Sequence, residues 1–331
     1  MHSLLAVVVS HGGSPHLDEL LGTLAGLTGC QVALVENAPG YRHDNVPAGV
    51  PVHEGHGNIG YGAAVNLAVR RGLGDGVVNG APPEWLLVVN SDVSIPEETR
   101  EMLPKILAQT SADVDALGFA VRSHDDGPGR SIAVLPRRRT SAFTAVRGEP
   151  AAVARWPALC YPVGAFFAIR TEAFLRIGGF DPAFWLYYEE TDLFARLLAA
   201  GGRIGWCDPA WPVRHTGGAT AGRAVELQRE LGRAAVLYAR RHRASIGRGW
   251  LLVHVAQLLL LIVRKAVTRR WPDVTRGAQI LAGLVLELAC PGREPAVRSR
   301  WRAVPATTRQ QIATLDIRRP PPPAPGGRFA G

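Results

Sequence analysis

The chain has 331 residues, of which 47% are hydrophobic and 20% are charged, and its formal net charge is +9. This composition excludes a disordered chain, and the length allows one large core with an appendage or two modest domains. The four cysteines are scattered and form no CxxC pair, so they indicate neither a structural zinc site nor a secreted disulfide scaffold. We therefore expect a protein of a reducing compartment.

Arginine supplies most of the positive charge and is dense around residues 223–248 and 264–302. Such an excess suits an anionic surface. No recognition helix, zinc finger or aromatic RNA-binding motif accompanies it, so nucleic acid is not the expected partner. A phospholipid surface or a polyprenyl phosphate is the better hypothesis.

Short apolar runs at residues 4–9, 31–35 and 85–89 alternate with segments of helical spacing. The first run has no basic region or cleavage site, which indicates a buried strand rather than a signal peptide. The alternation predicts a mostly parallel, Rossmann-like α/β sheet flanked by helices. Ligands bind beyond the carboxyl ends of such strands. The polar residues there are Ser10, Glu36, Asn37, Asn90, Ser91 and Asp92.

The chain loses regularity from Ser123 to about Gly148, which we interpret as a flexible flap or insertion. Order returns at residues 164–169, and a helix is predicted at about residues 189–200. We expect a catalytic domain over residues 1–222, a basic and apolar helical extension over 223–303, and a Pro-rich disordered tail over 304–331.

One candidate metal ligand follows the third apolar run directly. Asp92, with Asn90 and Ser91 before it, can bind Mg²⁺ or Mn²⁺, and such an ion neutralises a leaving diphosphate. His215 follows an apolar segment and opens a glycine-containing loop, so it is a candidate second ligand. Alone, a strand-end Asp is more often a turn or cap residue, and a lone His is usually not a ligand. Together they favour a metal site.

Two further segments are candidates for binding a nucleotide. Glu36 can accept hydrogen bonds from a base or a ribose, or it can be a solvated loop acid. In residues 57–66, which include Asn58, Gly60 and Asn66, glycines allow close backbone approach and a helix N-terminus favours an anion. This segment is neither a Walker loop nor a dinucleotide fingerprint.

Three acids begin the helix predicted near residue 189. Glu189 and Asp192 are expected to share a helix face, and capping through the helix dipole can explain both. Glu190 projects elsewhere and can take the proton from an attacking acceptor hydroxyl. This acid cluster is therefore the candidate catalytic centre.

Aromatic residues near these acids suggest a sugar pocket. Phe166, Trp185 and Tyr187 either stack on a sugar face near Gly164 or pack in the core. The run Arg137 to Arg139 either grips an acceptor diphosphate or is a solvated charged stretch.

Over about residues 4–220 these motifs resemble the family 2 glycosyltransferases, an inverting group with a GT-A fold. The matching residues are Glu36, Asn58, Gly60, Asn66, Asn90-Ser91-Asp92, Gly178-Gly179-Phe180-Asp181, Glu189-Glu190-Thr191-Asp192 and His215. The resemblance implies that Glu36 contacts the base of a nucleotide-sugar donor. It also implies that Asp92 and His215 bind the metal and that Glu190 is the general base. Glu190 stands where the family more often has Asp, so Glu189 remains an alternative base. Glu36 also stands where the family more often has Asp.

Within the family, the chain is similar to actinobacterial rhamnosyltransferases that act on polyprenyl-diphosphate-linked sugars. This implies transfer of L-rhamnose from dTDP-rhamnose to a lipid-linked or saccharide acceptor in cell-wall or surface polysaccharide synthesis. The implied location is the cytoplasm, at the inner face of the membrane. Two alternatives remain: a nucleotidyltransferase of sugar phosphates, and a non-catalytic peripheral membrane binding protein.

Residues 250–263 form an apolar run with arginines on both sides. About fourteen residues are too few for a helix to cross a bilayer core of about 30 Å, so we do not expect a span. The run either lies in the interface of an anionic membrane or packs on the catalytic domain with a solvated basic rim.

Overall fold

A computed structural model of the chain describes residues 3–75, 82–123, 125–215 and 225–291. The predicted Pro-rich tail at residues 304–331 lies outside the described residues. The strands are β1 (Leu4–Ser10), β2 (Cys30–Glu36), β3 (Val52–His53), β4 (Trp85–Asn90), β5 (Val93–Ser94), β6 (Ala116–Gly118), β7 (Val121–Arg122), β8 (Ile132–Val134), β9 (Cys160–Pro162), β10 (Phe166–Arg170), β11 (Ile204–Trp206) and β12 (Val213–His215).

The helices are α1 (Leu17–Ala25), α2 (Tyr61–Asp75), α3 (Glu97–Gln109), α4 (Arg138–Arg147), α5 (Glu149–Arg155), α6 (Thr171–Arg176), α7 (Glu189–Ala199), α8 (Val225–Arg241), α9 (Arg243–Ile246), α10 (Trp250–Val267) and α11 (Trp271–Ala289). A short 3₁₀ turn covers Pro157–Leu159.

The central sheet has seven strands in the order β11-β6-β10-β4-β1-β2-β3. Its middle is parallel, because β1 runs parallel to both β2 and β4. Only β10 runs against its neighbours β4 and β6. Two smaller sheets, β5-β12-β7 and β8-β9, lie beyond it. The predicted mostly parallel α/β fold is confirmed.

Both faces of the central sheet are covered, which explains the unbroken apolar sequence of β1. Successive side chains of a strand point to opposite faces. Leu5 and Val7 belong to the core layer that contains α2 and α7. Ala6 and Val8 belong to the opposite layer with α1. A strand buried on both faces needs no polar alternation.

The helical extension is attached to this core through α8. Tyr238, Ala234 and Ala235 of α8 are buried in the same layer as α2 and α7. Helix α11 crosses α8 very closely, since a Cβ on Gly232 would lie 2.0 Å from the Ile280 carbonyl oxygen. Helix α8 therefore packs in the same core layer as the central sheet. The domain boundary at residue 222 stays a prediction.

Helix α10 differs from α8 because little of it is covered. It has 18 residues, a mean hydropathy of 1.8 and only 11% of that stretch buried. By length and composition alone it could cross a membrane, which corrects the shorter apolar run read from the sequence. The extra residues Arg264 to Val267 continue the helix beyond Val263.

The prediction of an irregular loop from Ser123 to Gly148 is wrong over its second half, which contains β8 and α4. The N-terminus of α4 is fixed by Thr140, whose Oγ1 accepts a 2.8 Å hydrogen bond from the Arg137 amide. The middle of α4 is held by Trp250, whose indole N–H donates to Ser141 Oγ at 2.9 Å. A helix with this many arginines lacks the apolar stripe by which helices are recognised.

Candidate active site

A cavity of about 990 Å³ opens at the carboxyl ends of β1 and β4, where ligands bind in parallel sheets. It gathers residues that lie far apart in the sequence. The predicted site residues on its wall are Ser10, Asn58, Gly60, Asn90, Ser91, Asp92, Gly164, Trp185, Tyr187, Glu189, Glu190 and His215.

The two predicted metal ligands meet at one end of the cavity. Antiparallel pairing of β12 with β5 brings His215 opposite Val93. His215 Nε2 then lies 2.9 Å from Asp92 Oδ1 and 3.4 Å from Asn90 Nδ2. We call Asp92, His215 and Asn90 the metal-side cluster.

The donor atoms of this cluster fit a small divalent cation. Asn90 Oδ1 is buried without a hydrogen-bond partner, and it stands beside one carboxylate and one imidazole. Oxygen donors with a single imidazole suit Mn²⁺ or Mg²⁺. Within the described residues no group of three or more His, Cys, Asp or Glu side chains could hold a metal. Phosphate oxygens and water would therefore have to complete the coordination.

Another part of the cavity wall is formed by the start of α7. Tyr187 and Tyr188 precede the helix with φ angles of 67° and 65°, in the left-handed region that only glycine occupies freely. Such strain persists only where the surroundings impose it, and it is common at functional sites. The turn brings Glu189 and Glu190 onto the cavity wall.

Burial raises the pKa of both glutamates above the ordinary carboxyl value. The charge of Glu190 raises the pKa of Glu189 further, whereas Arg130 opposes the shift at Glu190. Glu189 Oε2 is buried without a hydrogen-bond partner. A carboxylate whose charge is this poorly solvated is a stronger proton acceptor than a surface acid.

Gly60 on the cavity wall is required by a close contact, and Gly164 lies beside Glu190. A Cβ on Gly60, where φ is 87°, would lie 2.3 Å from the Trp185 carbonyl oxygen. A Cβ on Gly164 would lie 3.6 Å from the carboxyl carbon of Glu190. Tyr61 holds Gly164 in place by donating a 3.0 Å hydrogen bond to its carbonyl oxygen. A side chain at position 164 would therefore contact the Glu190 carboxyl group.

Asp192 is not on the cavity wall, although Glu189 and Glu190 are, so its position does not support the predicted catalytic role. Its Oδ1 accepts a 2.8 Å hydrogen bond from His242, and its Oδ2 accepts a 2.6 Å bond from Arg196. Burial alone would raise the pKa of Asp192, but these contacts outweigh burial and hold the pKa below its usual value. The Asp192 carboxylate therefore joins α7 to the end of α8 through its contacts with Arg196 and His242.

Asn66 and Phe166 are also structural. The side-chain amide of Asn66 donates to the Phe180 carbonyl at 2.8 Å and accepts from the Phe180 amide at 2.9 Å. It therefore fixes the Gly-Gly-Phe-Asp segment rather than a donor. Phe166 is fully buried and packs edge-to-face on Phe119 with ring centroids 5.0 Å apart. The core alternative is correct for Phe166.

Glu36 is buried beside the cavity and is already hydrogen-bonded within the protein. Its Oε1 accepts from the amides of Gly12 at 2.9 Å and Ala38 at 2.6 Å. Its Oε2 lies 2.6 Å from His43 Nε2. The structure does not place this carboxylate on the cavity wall. Its contact with a base stays a prediction, and in this conformation Glu36 shapes the loop after β1.

Sequence reasoning missed two arginines on the cavity wall, Arg122 and Arg130. Both lie in or beside the segment that we had interpreted as an irregular loop, so no periodic signal marked them. The arginines that we had considered for a diphosphate, Arg137 to Arg139, begin α4 and are not on the wall.

Comparison with known proteins agrees with this geometry. A family model described as the N-terminal domain of galactosyltransferase matches residues 161–216, which contain Glu189, Glu190 and His215. The N-acetylglucosaminyl-diphospho-decaprenol L-rhamnosyltransferase of Mycobacterium tuberculosis is 28% identical over 257 residues, which cover 66% of this chain and 78% of the relative. The chain is a glycosyltransferase.

The resemblance to family 2 glycosyltransferases is confirmed, and the alternatives of a nucleotidyltransferase and a non-catalytic binding protein are not supported. Among solved structures, mannosyl-3-phosphoglycerate synthase from Rubrobacter xylanophilus overlaps this glycosyltransferase with a TM-score of 0.45 at 16% identity, covering 73% of this chain and 74% of that one. Glucosyl-3-phosphoglycerate synthase from Mycobacterium tuberculosis overlaps with a TM-score of 0.44 at 14% identity, covering 72% and 80%.

Proposed function

We propose that this glycosyltransferase is metal-dependent and inverting, and that it moves a sugar from a nucleoside-diphosphate donor to a hydroxyl of a lipid-linked saccharide. One observation carries the proposal. The metal-side cluster and Glu190 line the same cavity. A donor diphosphate and an acceptor hydroxyl can therefore be held on opposite sides of one anomeric carbon, as a single displacement requires.

The metal-side cluster would hold the donor diphosphate through Mg²⁺ or Mn²⁺. When bound there, the ion neutralises charge that develops on the leaving diphosphate. Asp92 would supply an oxygen ligand and His215 a nitrogen ligand, and the unpartnered Oδ1 of the neighbouring Asn90 is a candidate third donor. Asn58 and Gly60 line the same cavity and leave room for a nucleotide against the backbone.

Glu190 would accept the proton of the acceptor hydroxyl as that oxygen attacks the anomeric carbon. Burial raises its pKa, which makes it a better base than a solvated carboxylate, while the charge of Arg130 favours its ionised form. The pKa of the neighbouring Glu189 is raised well above the ordinary value by burial and by the charge of Glu190, and within the described residues no arginine opposes the shift among its causes. We therefore favour Glu190 over Glu189 as the base.

The relative at 28% identity suggests the substrates to test first. Its name describes transfer of L-rhamnose to N-acetylglucosaminyl-diphospho-decaprenol. We propose a similar polyprenyl-diphosphate saccharide as the acceptor, with dTDP-rhamnose as the first donor to test. Trp185 and Tyr187 line the cavity and offer ring surfaces for the sugars.

The test is nucleotide release from dTDP-, UDP- and GDP-sugars, with and without Mn²⁺ or Mg²⁺, in the presence of a lipid-linked acceptor. Turnover of one donor that requires metal and is lost in Asp92→Ala and Glu190→Gln supports the proposal. Glu172→Gln, an exposed acid on α6, is the matched control and should turn over normally. Metal-independent turnover, or turnover that survives in Glu190→Gln, would contradict the assigned roles.

We further propose that α10 lies in the interface of an anionic membrane at the inner face of the cell membrane. Leu252, Leu260 and Val267 expose 76%, 65% and 78% of their surface. Apolar exposure on this scale marks an interaction surface. Arg264, Arg269 and Arg270 are exposed at the end of the same helix, where they complement anionic headgroups.

Co-sedimentation with phosphatidylglycerol and phosphatidylcholine vesicles tests this placement. We expect binding to the anionic vesicles that weakens with salt and is lost in the Leu252→Ser/Leu260→Ser variant. Val146→Ser, at a residue 80% exposed on α4, is the matched control. Unchanged vesicle binding in the leucine variant would contradict the proposal, as would equal binding to neutral vesicles.

A further inference from the structure

A hairpin of residues 121–123 and 125–131, which we call the arginine hairpin, carries two arginines on the cavity wall. Its arms are joined by Val121, whose amide donates to Ser131 Oγ at 2.8 Å. Arg122 and Arg130 stand on the two facing arms. A Cβ on Gly129 would lie 2.5 Å from the Val121 carbonyl oxygen, so the arms are closely packed.

The arginine hairpin is linked both to the strand that carries His215 and to the surroundings of Glu190. On one side, β7 runs parallel to β12, with Arg122 paired to Arg214, the residue before His215. On the other side, the chain continues into β8, which pairs with β9. Arg130 is close enough to Glu190 to influence its pKa. A group bound at this hairpin would therefore lie near both the metal-side cluster and Glu190.

The charges of the hairpin are unevenly compensated. Arg130 makes a two-pronged contact with Glu149 at 2.9 and 2.6 Å, and Arg214 makes one with Asp126 at 2.7 and 3.1 Å. Across the part of the chain that the structure describes, no carboxylate pairs with Arg122. An uncompensated guanidinium on a cavity wall attracts an anion, and its planar donors match phosphate oxygens.

We propose that Arg122, with Arg130 beside it, binds the diphosphate of the acceptor. This rests on the proposed function, because it assigns a subsite of the same cavity. A donor and an acceptor that both carry a diphosphate bring two strongly anionic groups into one cavity. The metal-side cluster serves the donor, so the acceptor diphosphate needs a cation of its own. The arginine hairpin supplies that cation close to Glu190.

Steady-state kinetics of Arg122→Gln tests the subsite with two acceptors that share one saccharide. One acceptor carries a prenyl diphosphate, and the other is a phosphate-free alkyl glycoside. We expect KM for the diphosphate acceptor to rise about tenfold, the size of one lost charged hydrogen bond. KM for the alkyl glycoside and KM for the donor should not change. Arg122→Lys should recover part of the loss.

Two kinetic outcomes would overturn the proposal. A rise in KM for the donor alone would assign Arg122 to the donor diphosphate. An equal rise for both acceptors would mean that the variant has altered the shape of the cavity. Arg147→Gln removes the same charge from an exposed position on α4, away from the cavity wall, and is the matched control.

Direct binding separates this subsite from the proposed reaction. Farnesyl diphosphate and farnesol are titrated into the protein by calorimetry, without donor and with EDTA present. We expect farnesyl diphosphate to bind more tightly than farnesol, and Arg122→Gln to remove that preference. If no sugar donor turns over but the preference persists and depends on Arg122, the subsite stands and the proposed reaction fails. If transfer occurs but the preference is absent or unaffected in Arg122→Gln, the subsite fails alone.

Discussion

The first turn of α7 carries acids that experience opposite environments. Glu189 is buried and Glu190 is partly buried on the cavity wall, the pKa values of both are raised above the ordinary carboxyl value, and Glu189 Oε2 has no hydrogen-bond partner. Away from the cavity wall, Asp192 is also buried, but it is bonded to Arg196 and His242, and its pKa is lowered. Four residues therefore include both a destabilised and a stabilised carboxylate.

The difference separates reactivity from structural support. A buried carboxylate without compensating donors holds its proton tightly and takes one readily, at a cost to stability. A buried carboxylate with three donors stabilises the fold only in its ionised form, and it has no spare capacity for chemistry. Substitution of Glu190 and substitution of Asp192 should therefore have opposite effects on activity and on stability.

The largest effect is expected for Glu190→Gln. This change keeps the shape of the side chain but removes the proton acceptor, so turnover should fall by roughly 10²- to 10⁴-fold. The free energy of unfolding should not fall, because a charge that burial disfavours has been removed. Nucleotide release and thermal unfolding, measured on the same preparation, test both statements. Loss of both activity and stability would mean that Glu190 has a structural role.

Asp192→Ala should do the reverse. It leaves two basic side chains buried without their partner, which costs about 3 kcal/mol in comparable ion pairs. Turnover at a temperature where the variant is folded should remain within tenfold of the parent, about the spread expected from indirect effects. Urea unfolding and turnover at low temperature measure the two effects. A larger loss of turnover in the folded variant would restore a catalytic role for Asp192.

The pH dependence of that loss follows from the lowered pKa of Asp192. Because its folded pKa lies below the unfolded value of about 3.9, its contribution to stability is present above that pH. The contribution is lost as pH falls through the folded pKa. The difference in stability between the parent and Asp192→Ala should therefore be full at neutral pH and shrink in acid. A difference that grew in acid would contradict the assignment.

Glu189→Gln should stabilise the protein modestly. The folded pKa of Glu189 is raised, so the folded state binds the proton more tightly than the unfolded state does. That advantage is full below the unfolded pKa of about 4.3 and is lost as pH rises through the folded pKa. The neutral side chain removes the cost, and Tm near neutral pH should rise by about 2 to 4 °C per kcal/mol gained. Turnover should persist if Glu190 is the base, and its loss would favour Glu189.

The contrast between the two glutamates and Asp192 also shows what the sequence could and could not predict. Asp92 and His215 were predicted because strand ends of an α/β sheet converge, and they lie 2.9 Å apart. Asp192 was misplaced because its partner His242 lies 50 residues further along the chain. No local pattern indicates that α8 packs behind α7.

Side chains whose partners are backbone groups of distant segments were equally hidden. Asn66 matched a nucleotide-binding motif by spacing, yet both of its amide atoms are used by the backbone of Phe180. Arg122 and Arg130 gave no periodic signal, and only pairing of β7 with β12 and of β8 with β9 brings them to the cavity. The sequence thus indicates the strand-end chemistry well, and tertiary packing decides which of the remaining polar residues reach it.

The smallest expected effect is a shift of the pH profile in Arg130→Gln. Arg130 favours the ionised form of Glu190, so its removal should raise the pKa of Glu190 further. Since the base must be ionised to act, the acidic limb of the kcat profile should move to higher pH, while the rate on the plateau changes little. Measuring kcat at saturating acceptor isolates this effect from weaker acceptor binding, and Arg147→Gln is the charge-matched control. A limb that moved to lower pH, or did not move, would mean that Arg130 does not face the catalytic carboxylate.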